Sequence, residues 1–459
     1  MTALARQLAA LLAEKLAAGG GRGVSGASAG AGGHPPQVVL GGDTRESTAE
    51  ICGWLAAGFA AGGAAVRYAG VIPTPGVSFL AGELGADAGV VVSASHNPYP
   101  DNGIKLLDGE GFKWSEAAEA ELEDRLRAAG EDGGAGGAGP PPPLAAETDL
   151  HERYLRHLES TLAAGGEAAA RETAAGSGPL AGLRVVLDTG NGAASIYAGE
   201  LFRRLGAEVT RLCAAPDGRN VNLGCGSTAP EAVAAAVVAA GAHLGAAFDG
   251  DADRCILADE RGEVRDGDAI LYLWATRLLA ERRLVPPAIV ATSMSNLGLE
   301  LALARQGISV VRCGVGDRLV VETMRREGIG LGGEQSGHVV RLELAATGDG
   351  LLTAVQMAAL VHQAGRPLSE LLAGFRRYPQ TLVNVRVARK PDLATLPRVA
   401  AAARAVEDEL GADGRLVLRY SGTEPLARVM IEGPDQETIE TLAGRLAAVL
   451  ADELGQPAG

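Results

Sequence analysis

At 459 residues the chain is too long for one hydrophobic core and predicts about three or four domains. Its 47% hydrophobic and 21% charged residues are the balance of a soluble globular protein, and with only 3% aromatics the cores must be built from Ala, Val and Leu. A formal net charge of −15 excludes a general nucleic-acid surface but not a phosphorylated substrate held by locally concentrated cations.

The opening MTALARQLAALLAEKLAAGG sets Arg6, Glu14 and Lys15 among apolar residues, an amphipathic helix without the clean apolar stretch of a signal peptide. A Gly/Ser/Ala-rich stretch over 19–36 predicts disorder. Strands at 37–40, 65–68 and 89–92 then alternate with helices at 48–61 and 76–84. The Gly/Pro-rich run 128–146 reads as a linker, and 165–182 as a solvated insertion. Strand–helix–strand returns at 183–187, 198–205 and 208–212, and again at 288–292, 297–306 and 309–311. The uncharged run 232–248 is Ala-rich, broken by Gly241 and His243, and reads as a helix and a strand, not a membrane span. Such repeats imply α/β domains with largely parallel sheets and active loops at the carboxyl ends of strands. From about 382 the order changes. Strands at 382–387 and 416–420 flank a helix at 394–410, and a strand at 426–432 precedes a last helix, which suggests a small α+β domain with a mostly antiparallel sheet. Five scattered cysteines, none spaced C-x-x-C, read as reduced cytosolic thiols without a disulfide framework or thiolate metal site.

Four segments carry chemistry. In Phe248-Asp249-Gly250-Asp251-Ala252-Asp253-Arg254, alternate residues of a near-extended loop project three carboxylates to one side, a hard-oxygen site suited to Mg²⁺. An EF-hand is excluded because Arg254 stands where that loop requires glycine, although Glu260 occupies the last-ligand position. The segment 91–105 delivers Ser95, His96 and Lys105 on a loop stiffened by prolines. Ser95 could be a phosphorylated nucleophile and His96 or Lys105 a proton-transfer or phosphate-binding group, but taken alone the segment is better explained as an Asx/ST turn. In 332–338, adjacent glycines admit a ligand to the backbone while Glu334, Ser336 and His338 can hydrogen-bond sugar hydroxyls; a solvated tight turn is the competing reading. The segment 419–428 gathers Arg419, Ser421, Gly422, Thr423 and Arg428, a set of donors that would cradle a phosphate. An Arg428–Glu424 pair stabilising the turn would explain only part of it.

In this order the four segments (ASHNP with NGIK, DGDADR, GEQSGH and SGTEP) resemble the α-D-phosphohexomutase superfamily from about Val38 to the end. The resemblance implies three α/β domains and a C-terminal α+β domain around a central cleft, at 1–147, 148–257, 258–376 and 377–459. It implies a phosphohexose mutase in which phosphorylated Ser95 passes its phosphoryl group to a sugar phosphate through a 1,6-bisphosphate. Ser95, Asp249, Asp251 and Asp253 would hold Mg²⁺, with Arg254 and Lys105 flanking the transferred group. Gln335 and Gly422, with the segments 316–318 and 225–228, resemble the glucosamine-phosphate branch, which interconverts glucosamine 6-phosphate and glucosamine 1-phosphate on the route to UDP-N-acetylglucosamine. The phosphomannomutase/phosphoglucomutase branch is the alternative. A non-catalytic phosphosugar-binding paralogue would need neither Ser95 nor three aspartates. Members usually open with a strand and a loop like GTDGIRG; here the sequence starts in the following helix, so the first domain is expected without that strand, and Gly42 stands where members usually carry arginine. The expected setting is cytoplasmic, with hexosamine phosphate and hexose 1,6-bisphosphate as ligands, no nucleic acid or membrane partner, and a monomer or homodimer.

Overall fold

The computed structural model describes residues 2–17, 35–129, 141, 143–163, 178–421 and 424–455. They form two compact units, 1–294 with 308–373 and 295–307 with 374–459.

The first unit contains three sheets. In the first, β1 (Gln37–Gly42), β2 (Ala65–Val71), β3 (Ala88–Val92) and β4 (Ile104–Asp108) lie in the order β2-β1-β3-β4. β1 runs parallel to β2 and β3, while β4 returns antiparallel to β3. The strand β3, Ala-Gly-Val-Val-Val, is buried throughout, as a strand covered on both faces must be. Helix Thr2–Lys15 packs Leu8, Ala9, Leu12 and Ala13 into the same core as Ile51, Leu55 and Phe59 of helix Thr48–Ala61. The second sheet orders β5 (Arg184–Asp188), β6 (Glu208–Leu212), β7 (Leu244–Phe248), β8 (Cys255–Asp259) and β9 (Val264–Arg265) as β6-β5-β7-β8-β9. The third orders β10 (Ala288–Thr292), β11 (Ser309–Cys313), β12 (Leu331–Gly333) and β13 (Val339–Arg341) as β11-β10-β12-β13. In all three the inner strands are parallel and the antiparallel strands are confined to one side. The expected mixed, largely parallel sheets are present.

The second unit pairs β14 (Gln380–Arg386), β15 (Arg415–Tyr420) and β16 (Leu426–Glu432) in a fully antiparallel sheet of order β14-β16-β15. Helices Pro397–Leu410 and Gln436–Leu454 supply Val399, Val406, Ile439, Leu442 and Leu446 to a core with Val385, Val429 and Ile431. The helix expected over 394–410 begins only at Pro397, because proline is preorganised for a first helical position and residues 393–395 form a separate short turn. Helix Leu297–Ala304, read from sequence as part of the third strand–helix–strand repeat, belongs to this unit. Its N-capping Asn296 donates to Glu432 at 3.0 Å, and Glu432 also pairs with Arg415 at 2.6 Å.

Most of the linker expected over 128–146, of the disordered stretch expected over 19–36 and of the insertion expected over 165–182 lies outside the described residues, while 128–129 end the helix Glu116–Ala129. No described helix is long and apolar enough to cross a membrane, and the five cysteines are free thiols.

Candidate active site

Two loops at carboxyl ends of strands meet in the first unit. The loop after β3 carries Ser95, and the loop between β7 and β8 carries the aspartates. Gly250 makes the approach possible, since a Cβ there would stand 2.6 Å from the carbonyl oxygen of Ser95. Ser95 Oγ donates to Asp249 Oδ2 at 2.6 Å. Its backbone sits in the left-handed region at φ +51°, a conformation that costs a non-glycine residue energy and must be held by its surroundings.

The holding groups are visible. Ser95 N–H donates to Ser93 Oγ at 2.9 Å, and Ser93 donates in turn to Asp43 Oδ2 at 2.6 Å. Arg45, 3% exposed, pairs with buried Asp43 at 2.9 Å and sends its remaining N–H groups to the carbonyls of Ser95, Asn97, Pro98 and Asp101. From the second sheet, Asn222 Nδ2 also donates to the Ser95 carbonyl, at 2.9 Å. Sequence reasoning passed over Arg45, Asp43 and Asn222 as site residues, because partners about 50 and 130 positions away in sequence leave no local pattern.

Asp249, Asp251 and Asp253 are all buried and offer carboxylate oxygens within 4.8 Å of one another. At that spacing each like-charged pair repels by about 3–4 kcal/mol even at an effective dielectric of 20. Burial, and then the charges of Asp253 and Asp251, push the Asp249 carboxyl well above its usual range. Lys105 offsets one charge. Its Nζ lies 2.5 Å from Asp251 Oδ2 and 3.0 Å from Asp253 Oδ2, and Thr74 Oγ1 also donates to Asp251. Asp251 Oδ1 and Asp253 Oδ1 remain buried with no hydrogen-bond partner among the described residues. Three converging carboxylates with two orphaned oxygens fit a hard divalent cation. Glu260, the last-ligand position of the rejected EF-hand, faces elsewhere and accepts from the Ser369 backbone at 3.2 Å.

Lys105 lies on β4, opposite Val91, and not in the loop where sequence placed it. Burial alone would lower its pKa, but Asp251 and Asp253 outweigh that and raise it, so the ammonium stays charged. Lys105 is therefore suited to lending charge, as neither a base nor a ready proton donor. His96 is exposed, with Nδ1 3.4 Å from Ser95 Oγ, and burial followed by the charge of Arg254 lowers its pKa. Arg254 donates its backbone N–H to Asp249 Oδ1 at 3.2 Å, and its side-chain Nε, shielded from water and without a hydrogen bond among the described residues, lies 3.9 Å from Asp253 Oδ1.

Glu334 accepts from the backbone N–H of Gly316 at 3.1 Å and from Ser336 Oγ at 3.2 Å, which fixes its carboxylate while leaving further lone pairs. His338 departs from expectation. It is 2% exposed, Nε2 accepts from Gly348 N–H at 3.0 Å, and Nδ1 faces Asp253 Oδ1 at 3.7 Å. It is buried against the aspartate loop, where the expected hydrogen bonds to a sugar would need it exposed. In the second unit, Arg419 and Arg428 sit directly opposite on β15 and β16, an arrangement that disfavours itself unless an anion joins them. Arg428 pairs with Glu424 at 2.8 Å, and Ser421 Oγ accepts from the Glu424 N–H at 3.2 Å. Gly422 and Thr423 lie outside the described residues.

A serine poised on a carboxylate triad, within parallel-sheet domains followed by an antiparallel C-terminal domain, defines a phosphohexomutase-type fold and site. Residues 3–132, 152–262 and 266–378 match α/β/α domains I, II and III, and residues 382–449 the C-terminal domain, of the phosphoglucomutase/phosphomannomutase family. The chain belongs to this family. It is 46% identical over 421 residues to the phosphoglucosamine mutase of Solibacter usitatus, covering 92% of this chain and 91% of that protein. It is also 46% identical over 416 residues to that of Symbiobacterium thermophilum, covering 91% and 90%. Among solved structures, a phosphoglucomutase/phosphomannomutase family protein from Burkholderia thailandensis shares the fold with a TM-score of 0.76 at 23% identity, over 100% of this chain and 95% of that one. The Aspergillus fumigatus N-acetylphosphoglucosamine mutase, solved with GlcNAc-6P and magnesium, gives 0.59 at 21% identity over 83% and 92%.

Proposed function

We propose that this chain interconverts glucosamine 6-phosphate and glucosamine 1-phosphate through a phosphorylated Ser95 and a hexose 1,6-bisphosphate. The observation that carries the reading is Ser95 Oγ at 2.6 Å from Asp249, beside two orphaned aspartate oxygens. The naming of the 42–47% identical relatives as phosphoglucosamine mutases supports the choice of sugar.

In the forward half, the bond from phosphorus to Ser95 Oγ breaks and one to the sugar 1-hydroxyl oxygen forms, while the hydroxyl proton leaves and Ser95 regains one. In the return half, the 6-phosphoryl group moves to Ser95 Oγ. His96, exposed and 3.4 Å from Oγ, is placed to take and return the proton. Lys105 and Arg254 bring positive charge to the group in transit. Asp249, Asp251 and Asp253, with a phosphate oxygen on Ser95, would hold Mg²⁺, which offsets the charge of a transferring phosphoryl group. Glu334 and Ser336 would bind the sugar hydroxyls, and His338 would position Asp253 from beneath. Within the C-terminal unit, Arg419, Ser421, Gly422, Thr423 and Arg428 would hold the phosphate that is not reacting. The 1–147, 148–257, 258–376 and 377–459 divisions would each supply one of these loops. Five free thiols suit a reducing cytoplasm.

Glu334 is suited to pair with an ammonium at the sugar 2-position. Such a charge-assisted contact is worth about 1.5–3 kcal/mol, hence ten- to a hundredfold in kcat/KM over neutral hexoses. The test compares glucosamine, mannose and glucose 6-phosphates on the Ser95-phosphorylated protein. Glucosamine 6-phosphate should lead, and a neutral hexose leading would move the chain to the phosphomannomutase/phosphoglucomutase branch.

A further inference from the structure

Outside the aspartate triad, the second sheet gathers a different set of ligands at its carboxyl edge. Asp188 ends β5, Cys213 follows β6, and Cys225 precedes the short turn Gly226–Thr228. Their carboxylate oxygen and two sulfurs lie within 4.8 Å of one another. We propose that Asp188, Cys213 and Cys225 form a second cation site, selective for a thiophilic divalent ion of the zinc type.

Several features make this more than two neighbouring thiols. Asp188 is fully buried, and its two oxygens each accept a backbone N–H at 3.0 Å, from Gly190 and from Gly226. The carboxylate is thereby fixed in orientation while each oxygen keeps a lone pair for a metal. Asn191 Nδ2 lies 3.8 Å from Cys225 Sγ, a supporting contact for a ligating sulfur. Cys225 is 1% exposed whereas Cys213 is half-buried, so solvent reaches the cluster from the Cys213 side, and water would complete the coordination of an ion there. Two sulfurs and one oxygen select against Mg²⁺, which prefers oxygen throughout, and so separate this site from the aspartate triad.

The electrostatics agree. Burial first, and the Asp188 charge second, raise both thiols, Cys225 to about 12. Protonated thiols are poor nucleophiles, which disfavours oxidation to a disulfide. A bound dication reverses the balance: two S–H bonds break, two metal–sulfur bonds form, and two protons pass to solvent. Binding would pin both ends of the segment 213–225. That segment contains Asn222, which donates to the Ser95 carbonyl, and Asn191 beside it accepts from Thr44 Oγ1 at 2.6 Å. Occupancy is thus mechanically connected to the nucleophile loop.

The experiment uses the full chain, thiols reduced and the aspartate triad saturated with Mg²⁺, titrated with Co²⁺ as a spectroscopic probe and then with Zn²⁺. A thiolate-to-cobalt charge-transfer absorption should appear, saturate at a single equivalent and be displaced by Zn²⁺. Because two protons leave, the apparent Zn²⁺ affinity should rise about a hundredfold per pH unit near neutrality. Cys213→Ser, at the more exposed ligand, should abolish the absorption and weaken Zn²⁺ binding about tenfold or more while leaving Mg²⁺-dependent turnover unchanged. Oxygen-bound cobalt in the triad gives no such absorption, so failure here would leave the mutase reading standing. Absence of the band in the wild type, or its survival in Cys213→Ser, overturns the proposal.

Discussion

Arg45 shows how much of this site depends on a residue that would never touch substrate. One buried guanidinium reaches the Asp43 carboxylate and four carbonyls of the nucleophile loop, and the carbonyl of Ser95 is shared with Asn222. Lysine keeps the charge but has no planar fork, so Arg45→Lys should let Ser95 relax from φ +51°. A misplacement of about an ångström can cost a hundredfold in rate, so kcat should fall by about ten- to a hundredfold while KM changes little. Steady-state kinetics decide this, and an unchanged kcat would remove Arg45 from the positioning role. Asp251→Asn acts on the same site through charge. With the anion that anchors Lys105 gone, divalent-cation affinity and rate should both drop sharply. Chelator should silence the wild type, and Mg²⁺ should restore it; full activity in chelator would contradict the metal assignment.

At the scale of elements, a helix start that meets the aspartate loop, where Gly350 N–H donates to the Ala252 carbonyl at 2.9 Å, offers a pH test read by stability. Asp349 caps helix Gly350–Ala364 by accepting from Leu352 N–H at 2.9 Å, and Tyr154 OH donates to it at 2.8 Å. Burial nevertheless raises its pKa to about 6 from an ordinary 3.8. A raised acid favours the fold while neutral, so its contribution is complete below about pH 4 and is lost as pH climbs to about 6, a difference of about 3 kcal/mol. Asparagine keeps a cap acceptor without the charge. The melting temperature of Asp349→Asn relative to wild type should therefore rise across that interval, and a difference independent of pH would refute the assignment. The elements themselves were partly legible. The buried run Ala-Gly-Val-Val-Val announced β3, and the alternating aspartates announced the cation loop. β4 was hidden because Asn102 and Gly103 extend the turn signal to its first residue, and its identity depends on pairing with β3. The burial of His338 was hidden for a related reason: its spacing in the motif says nothing about which side of the loop it faces. Helix Leu297–Ala304 was recognised as a helix but not as a member of the C-terminal unit, since Asn296 meets Glu432 only through the fold.

For the whole molecule, the matches to all four family domains and the identity of 46% over 92% of the chain join the local chemistry to one function class. The order of four motifs made that class readable in the sequence, whereas the bracing by Arg45, Asn222 and Thr74 required coordinates. The central claim is that Ser95 is the covalent carrier of the phosphoryl group. Its most direct test is a single-turnover transfer with protein labelled by radioactive phosphate on Ser95, mixed with unlabelled glucosamine 6-phosphate. The account predicts that label leaves the protein at the rate of turnover and appears in the sugar phosphate. Ser95→Ala should fold, take no label and show no turnover. Label that stays on the protein during catalysis, or turnover by Ser95→Ala, would contradict it.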